Sequence, residues 1–136
     1  MFKGFNLNLN KINYNNFFMK KKLTGALIVA AGKGERSKSI VPKQYLQFGD
    51  KTVLQRNIEN FIYEPLIDFV QIVINDKHID FYNNAISKIE SSKLLPTCFG
   101  GETRSQSVKN GLQAIAPKSC SNILIQDAAR PFTSIW

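Results

Sequence analysis

The chain has 136 residues, 43% of them hydrophobic, which is the length and composition of a single globular domain with its own core. Its net charge of +8 is concentrated in the first 22 residues, which contain five lysines and no acidic residue. The remainder of the chain carries only +3. An anionic small molecule therefore suits the folded part at least as well as a polynucleotide. The sequence also argues against a membrane-spanning helix, which needs roughly 18–20 apolar residues, and against a Cys/His zinc site, since it has one histidine and two distant cysteines.

Residues 1–22 are rich in asparagine and lysine, and we predict that they form a basic disordered extension. They lack the continuous apolar stretch of a secretory signal peptide. Free cysteines at positions 98 and 120 favour a reducing, cytoplasmic location. A transit peptide to a plastid-type organelle is the alternative for this segment, and binding of nucleic acid by its lysines is a competing function.

The rest of the sequence alternates between strand and helix patterns. Four short apolar runs predict strands, of which the third is weaker because it contains a proline; they are Leu23–Ala31, Asp68–Ile74, Lys93–Phe99 and Asn122–Gln126. Three segments with apolar residues at helical spacing predict helices; they lie within 53–63, 78–92 and 103–116. The expected buried faces are Leu54, Ile58, Phe61 and Ile62, then Phe81 or Tyr82 with Ala85 and Ile89, then Val108, Leu112 and Ile115.

This order predicts an α/β fold, a Rossmann-like and mostly parallel sheet with helices on both faces. Ligands of such sheets bind beyond the carboxyl ends of the strands. Polar or glycine-bearing segments follow the first, third and fourth predicted strands, and we expect them to converge there; they are residues 30–43, 100–107 and 127–130. His78 is expected to lie away from these loops.

The glycine-bearing loop after the first strand, "AAGKGERSKSIVPKQY", matches neither common phosphate-binding fingerprint. It lacks the third glycine of G-x-G-x-x-G, and its Gly32–Lys33 pair lacks the upstream glycine of a P-loop. Its small residues nevertheless allow backbone N–H groups to line an anion site. Four cations lie within the same span, Lys33, Arg36, Lys38 and Lys43. We therefore predict that the loop binds a triphosphate.

Three motifs in this order resemble the 2-C-methyl-D-erythritol 4-phosphate cytidylyltransferases, a branch of the sugar-phosphate nucleotidyltransferases. They are "AAGKGER" with "PKQY", "GGETRSQSVKNGL" and "QDAARPF", and the resemblance covers Leu23–Phe132. It implies a GT-A-like nucleotidyltransferase fold and transfer of CMP from CTP to 2-C-methyl-D-erythritol 4-phosphate, with release of pyrophosphate, in isoprenoid biosynthesis. A ribitol-phosphate cytidylyltransferase shares much of the pattern and remains an alternative.

The resemblance also implies roles for individual residues. Arg36 and Lys43 would be catalytic, stabilising charge at the phosphorus centre. Asp127 would hold Mg²⁺ between phosphate oxygens. Arg104 is expected to be structural. The residues implied in nucleotide binding are Ala30, Ala31, Gly32, Gly101, Glu102, Ser107 and Ala128. For Ser107 the alternative is a hydroxyl that bonds only to nearby backbone.

Members of this family are implied to have a longer domain and to form homodimers. We therefore expect residues 23–136 to be the N-terminal part of a cytidylyltransferase domain, with a sheet that is incomplete at the C-terminus. The groups that bind the sugar-alcohol phosphate are then expected outside this chain. A fragment that binds CTP without catalysing transfer is the remaining alternative.

Overall fold

A computed structural model describes residues 21–33 and 40–130. Residues 1–20 of the predicted extension and the predicted catalytic Arg36 lie outside the described residues. None of the helices within the described ranges has the length and apolarity to cross a membrane.

Four parallel strands form the main sheet, in the spatial order β5-β4-β1-β6, and a short antiparallel pair, β2 and β3, stands apart from it. The strands are β1 (Thr24–Ala30), β2 (Gln47–Phe48), β3 (Lys51–Thr52), β4 (Phe69–Ile74), β5 (Cys98–Phe99) and β6 (Asn122–Asp127). The small β2–β3 pair was not expected from the sequence. Its turn contains Gly49 at a φ of +72°, a conformation that favours glycine.

Helices cover both faces of the sheet, which confirms the predicted fold class. They are α1 (Val53–Ile62), α2 (Ile79–Ile86) and α3 (Arg104–Ile115). Side chains of β1 alternate between the two faces: Ile28 packs in the core beneath α1 and α2, whereas Leu27 packs with Ile115 of α3. The strand is therefore buried on both sides.

Helix α1 follows the prediction closely. Its four expected core residues, Leu54, Ile58, Phe61 and Ile62, are all buried. The side chain of Thr52 accepts a hydrogen bond from the backbone N–H of Gln55 at 3.0 Å and caps the first turn. The apolar spacing of this segment and its capping residue thus both indicate the same helix.

Helix α3 buries Ile115 and packs Val108 against the core as predicted, but its buried face is shifted away from Leu112. Ser107, Gly111 and Ile115 are buried, whereas Leu112 is 37% exposed. A Cβ at Gly111 would lie 2.4 Å from Leu27 Cδ1 and 2.7 Å from a methyl carbon of Val73. The helix therefore approaches the sheet along its small residues, a contact that a rule based on large apolar side chains does not detect.

The two outer strands also differ from the prediction. The apolar run Asn122–Gln126 is typical of a buried strand, but in β6 Leu124 is 39% exposed and Ile125 is 45% exposed, because among the described residues the strand pairs only with β1. Strand β5 has two residues instead of seven. Pro96 has no N–H to donate to the backbone hydrogen bonds of the sheet. At this position a side chain makes the contact with β4 instead, since Gln71 Nε2 donates to the Pro96 carbonyl at 2.9 Å.

Candidate functional site

Loops that follow β1, β5 and β6 meet at the carboxyl edge of the sheet, as predicted. They enclose a cavity of about 260 Å³. Six of the sequence-predicted site residues line it, and they come from the loop after β1, the segment from β5 into the first turn of α3, and the last residue of β6: Ala31, Gly32, Gly101, Glu102, Ser107 and Asp127. The parallel order of the strands brings these positions together from segments nearly 100 residues apart.

The loop after β1 presents a glycine that the fold itself does not require. Gly32 is exposed, and its φ lies outside the left-handed region. A Cβ built on it would meet no atom of the described residues within 4 Å. Among the described residues neither backbone conformation nor packing demands glycine here, so the position leaves room for close approach of a ligand.

The loop after β5 needs its glycines for packing. A Cβ at Gly100 would lie 2.4 Å from Ala31 Cβ and 2.5 Å from Ser107 Oγ. Gly101 donates its N–H to Ser107 Oγ at 3.1 Å. Ser107 is 2% exposed, so its hydroxyl fixes the loop against the helix while the residue also lines the cavity.

A capping box fixes the entry into α3. The side chain of Thr103 accepts a hydrogen bond from the N–H of Gln106 at 3.1 Å. In return, Gln106 Oε1 accepts bonds from the backbone N–H groups of Thr103 at 3.2 Å and Glu102 at 2.8 Å. This reciprocal arrangement orders the loop, so that wall of the cavity is formed before any ligand arrives.

Two ion pairs join the segment that enters α3 to the loops beside it. Lys33 Nζ lies 2.8 Å from Glu102 Oε2, and it holds the pKa of Glu102 below its usual range. Arg104 Nε lies 3.0 Å from Asp127 Oδ1. Arg104 was expected to be structural. It lines the cavity and pairs with Asp127, the predicted metal ligand.

Two predicted site residues lie behind the cavity instead of on its wall. Ala30 and Ala128 are each 2% exposed. The Ala128 N–H donates to the Val29 carbonyl at 3.0 Å, and its own carbonyl accepts a bond from Asn57 Nδ2 at 2.7 Å. Asn57 was not singled out from the sequence, because its position in a helical pattern gives no sign that its amide supports a distant loop.

Lys43 is exposed and begins a 3₁₀ turn, Lys43–Tyr45, directly after Pro42. It lines neither this cavity nor the neighbouring one. The next residue, Gln44, is buried and bonds to the backbone of the loop after β1. The turn that carries Lys43 is thereby joined to the predicted phosphate loop.

A second cavity of about 600 Å³ adjoins the first. Its walls include Ala31, Lys33, Gly101 and Glu102, which also line the smaller cavity. His78 also lines this cavity, together with Gly101 and Glu102, so the expectation that it lies away from the loops was wrong. Strand β4 is the neighbour of β1, and the segment that follows it therefore reaches the same edge. Burial lowers the pKa of His78.

Comparison with known proteins identifies the group to which this arrangement corresponds. The family model described as IspD, 2-C-methyl-D-erythritol 4-phosphate cytidylyltransferase, matches residues 24–135. A bifunctional enzyme IspD/IspF of Wolbachia pipientis wMel is 45% identical over 115 residues, which cover 85% of this chain and 29% of that protein. A 2-C-methyl-D-erythritol 4-phosphate cytidylyltransferase of Clostridium botulinum is 39% identical over 108 residues, covering 79% of this chain and 47% of that protein.

A solved structure supports the same relationship. The crystal structure of the 2-C-methyl-D-erythritol 4-phosphate cytidylyltransferase of Francisella tularensis superposes with a TM-score of 0.65 at 34% identity. The match covers 84% of this chain and 48% of that one. The chain thus spans about half the length of the relatives with this single activity, and less of the bifunctional one.

Proposed function

The chain belongs to the IspD family, the 2-C-methyl-D-erythritol 4-phosphate cytidylyltransferases, and on that premise we propose that it transfers CMP from CTP to 2-C-methyl-D-erythritol 4-phosphate in isoprenoid precursor biosynthesis. The observation that carries this proposal is the convergence of three loops on one cavity of about 260 Å³. Each loop contributes residues of one of the three motifs that resemble the family.

The nucleotide would bind along this cavity. Backbone around Ala30, Ala31 and Gly32 would approach the phosphates, which agrees with the open space beside Gly32. Cytosine and ribose would contact Gly101, Glu102 and Ser107, with Ala128 behind the ribose. The loop that carries Gly101 is already ordered by the capping box of α3, so little conformational entropy is lost when it binds.

In the proposed reaction, a phosphate oxygen of the acceptor attacks the α-phosphorus of CTP and forms the new P–O bond. The bond from that phosphorus to the oxygen bridging the α- and β-phosphates breaks, and its electron pair leaves with pyrophosphate. Arg36 and Lys43 would neutralise the charge that accumulates on these oxygens. The protein's contribution is therefore mainly positioning and electrostatic stabilisation.

Asp127 would hold Mg²⁺. Within residues 21–33 and 40–130 there is no cluster of three or more His, Cys, Asp or Glu that could hold a metal alone. Magnesium in phosphoryl-transfer sites is commonly bound by one or two carboxylates together with substrate phosphates, so a single partly exposed carboxylate on the cavity wall fits it. When bound there, the ion would neutralise phosphate charge. Asp127 would then leave its ion pair with Arg104 and bind the metal instead.

The acceptor and the cellular setting are part of the proposal. Ribitol phosphate is the alternative acceptor, and binding of CTP without transfer is the alternative activity. Cys98 and Cys120 are free thiols, which supports a location in the cytoplasm. Homodimer formation is proposed for full-length members of the family.

Pyrophosphate release by the purified 136-residue chain tests the proposal. We expect release that requires CTP, Mg²⁺ and 2-C-methyl-D-erythritol 4-phosphate together, at a low rate because the groups that bind the acceptor are expected outside this chain, and at a still lower rate with ribitol 5-phosphate. Lys43→Ala should lower the rate by on the order of 100-fold, because a cation at the transition state is lost. Lys118→Ala, at an exposed lysine of the 3₁₀ turn Ala116–Lys118, is the control.

The two alternatives predict different outcomes of this assay. Faster release with ribitol 5-phosphate would identify that acceptor. CTP binding without release would favour the non-catalytic alternative. Equal rates for Lys43→Ala and Lys118→Ala would contradict the catalytic role of Lys43.

A further inference from the structure

Gln44 joins the turn that carries Lys43 to the loop after β1. Its side chain is 6% exposed, and Nε2 donates to the carbonyl oxygens of Ala30 at 2.8 Å and Gly32 at 3.3 Å. Both partners are acceptors, so only the NH₂ group of the carboxamide can satisfy them. The orientation of this amide is therefore fixed by its chemistry.

These two hydrogen bonds also determine where the neighbouring N–H groups point. In a trans peptide the C=O and the following N–H point in opposite directions, and the described residues contain no cis peptide bond. Because the carbonyls of Ala30 and Gly32 face Gln44, the N–H groups of Ala31 and Lys33 face away from it. Gln44 lines neither cavity, whereas Ala31 and Lys33 line the smaller one.

The direction of the next carbonyl along β1 agrees with this geometry. The Val29 carbonyl accepts a bond from Ala128, so it faces β6. Successive carbonyls of an extended chain alternate in direction, which turns the Ala30 carbonyl away from β6 and the N–H of Ala31 toward it. The smaller cavity lies on that side, since Asp127 at the end of β6 forms part of its wall.

Tyr45 fixes the other side of the same turn. It is 5% exposed, and its ring stacks on Phe81 at a centroid distance of 5.3 Å and meets His78 edge-on at 5.8 Å. The turn is thus held to α2 through Tyr45 and to the loop after β1 through Gln44. Lys43 is the exposed residue of a turn whose other two residues are buried.

We propose that Gln44 is a positioning residue for the triphosphate. It directs the N–H group of Ala31 toward the smaller cavity and turns that of Lys33 away from its own side chain, and it sets the distance between this loop and Lys43. The proposal rests on the proposed function, because it takes the triphosphate of CTP as the ligand of these groups. Gln44 itself lines neither cavity. Its proposed role is to hold neighbouring groups in the orientation that the triphosphate needs.

Gln71 offers a matched control within the same chain. It is 2% exposed, and its Nε2 likewise donates to two carbonyls, those of Ile72 at 3.1 Å and Pro96 at 2.9 Å. It lines neither cavity. Gln44→Met and Gln71→Met therefore each remove two amide-to-carbonyl bonds from a buried site, and only the bonds of Gln44 reach the loop that lines the cavity.

Three quantities are measured for the wild type and both variants: the free energy of unfolding in urea, the Kd for CTP with MgCl₂, and the rate of tryptic cleavage after Lys33 without ligand. We expect both variants to lose similar stability. Only Gln44→Met should raise the Kd, by about 10-fold to 100-fold, the effect of misdirecting one or two hydrogen bonds to a charged group. Only Gln44→Met should accelerate cleavage after Lys33.

Equal Kd values for the two variants at comparable loss of stability would overturn the positioning role. An unchanged cleavage rate in Gln44→Met would overturn the claim that Gln44 holds the loop. If the wild type binds no CTP, the proposed function fails, and the cleavage rate still decides whether Gln44 orders the loop.

Discussion

Strands β1 and β6 are neighbours that end at the same cavity, yet they differ in how they are held. Ala26, Leu27 and Ile28 of β1 are 0% exposed, and the strand pairs with β4 on one side and β6 on the other. In β6, Leu124 and Ile125 are 39% and 45% exposed. The side of the cavity formed by β1 rests on a packed core, whereas among the described residues β6 pairs with β1 alone and leaves part of its apolar surface exposed.

The same contrast applies to the ends of the two strands. The loop after β1 is held by Gln44 and by the close packing of Ala31 against Gly100. The end of β6 is held by the hydrogen bond from Asn57 to the Ala128 carbonyl and by the ion pair between Arg104 and Asp127. We infer that residues 31–33, at the start of the loop after β1, are fixed by packing and hydrogen bonds, whereas Asp127 depends on a few polar contacts.

Truncation of one isoleucine in each strand should give the largest difference. Ile28→Ala should cost about 2–5 kcal/mol of unfolding free energy, because it leaves a cavity between β1 and the helices. Ile125→Ala should cost less than about 1 kcal/mol, since that side chain is already 45% exposed. Urea denaturation followed by circular dichroism measures both. Equal losses would show that β6 is as well packed as β1.

Loss of the Asn57 amide should have an intermediate effect. Asn57→Ala leaves the Ala128 carbonyl, at 2.7 Å from Nδ2 in the native protein, without this donor, and should cost about 1–3 kcal/mol. Asn83→Ala, at an exposed position of α2, is the control and should be nearly neutral. We also expect weaker CTP binding with Mg²⁺ only in Asn57→Ala. Normal CTP binding by Asn57→Ala would show that the hydrogen bond to the Ala128 carbonyl is not needed for binding in the cavity.

The smallest effect concerns the start of β1, where Asp68 accepts hydrogen bonds from Lys21 and from the N–H of Thr24. These bonds hold the pKa of Asp68 below its usual value. A depressed pKa in the folded state contributes stability above the unfolded value of about 3.9, and this contribution disappears as pH falls through the folded pKa.

Between about pH 4 and pH 2, Asp68→Asn should therefore lose less unfolding free energy than the wild type. The difference should be at most about 1 kcal/mol, because the ion pair between Lys21 and Asp68 is close to solvent. Unfolding free energies measured from pH 2 to pH 6 test this expectation. An identical pH dependence in the wild type and the variant would contradict it.

Local patterns were sufficient to predict β1, α1 and the three loops that meet at the cavity. The apolar run before Gly32 and the spacing of Leu54 and Ile58 each determine an element without reference to the rest of the chain. The parallel order of the strands then places the loops at one edge. For this reason the candidate site could be located from the sequence although its residues are far apart.

The remaining features depend on which elements become neighbours. The exposure of Ile125 follows from the position of β6 at the edge of the described sheet, and the buried face of α3 follows from the contact of Gly111 with Leu27. Gln44 and Asn57 each donate to carbonyls that only the folded chain brings near. Sequence periodicity does not contain this information, because the partners of a buried amide are tertiary contacts.

The central claim is that three loops form one CTP site, and amide chemical shifts test it most directly. In a titration of the ¹⁵N-labelled chain with CTP and MgCl₂, we predict that Gly32, Gly101 and Ala128 shift together and give a single Kd. Shifts confined to residues 1–22, or no shifts at these three positions, would contradict the claim.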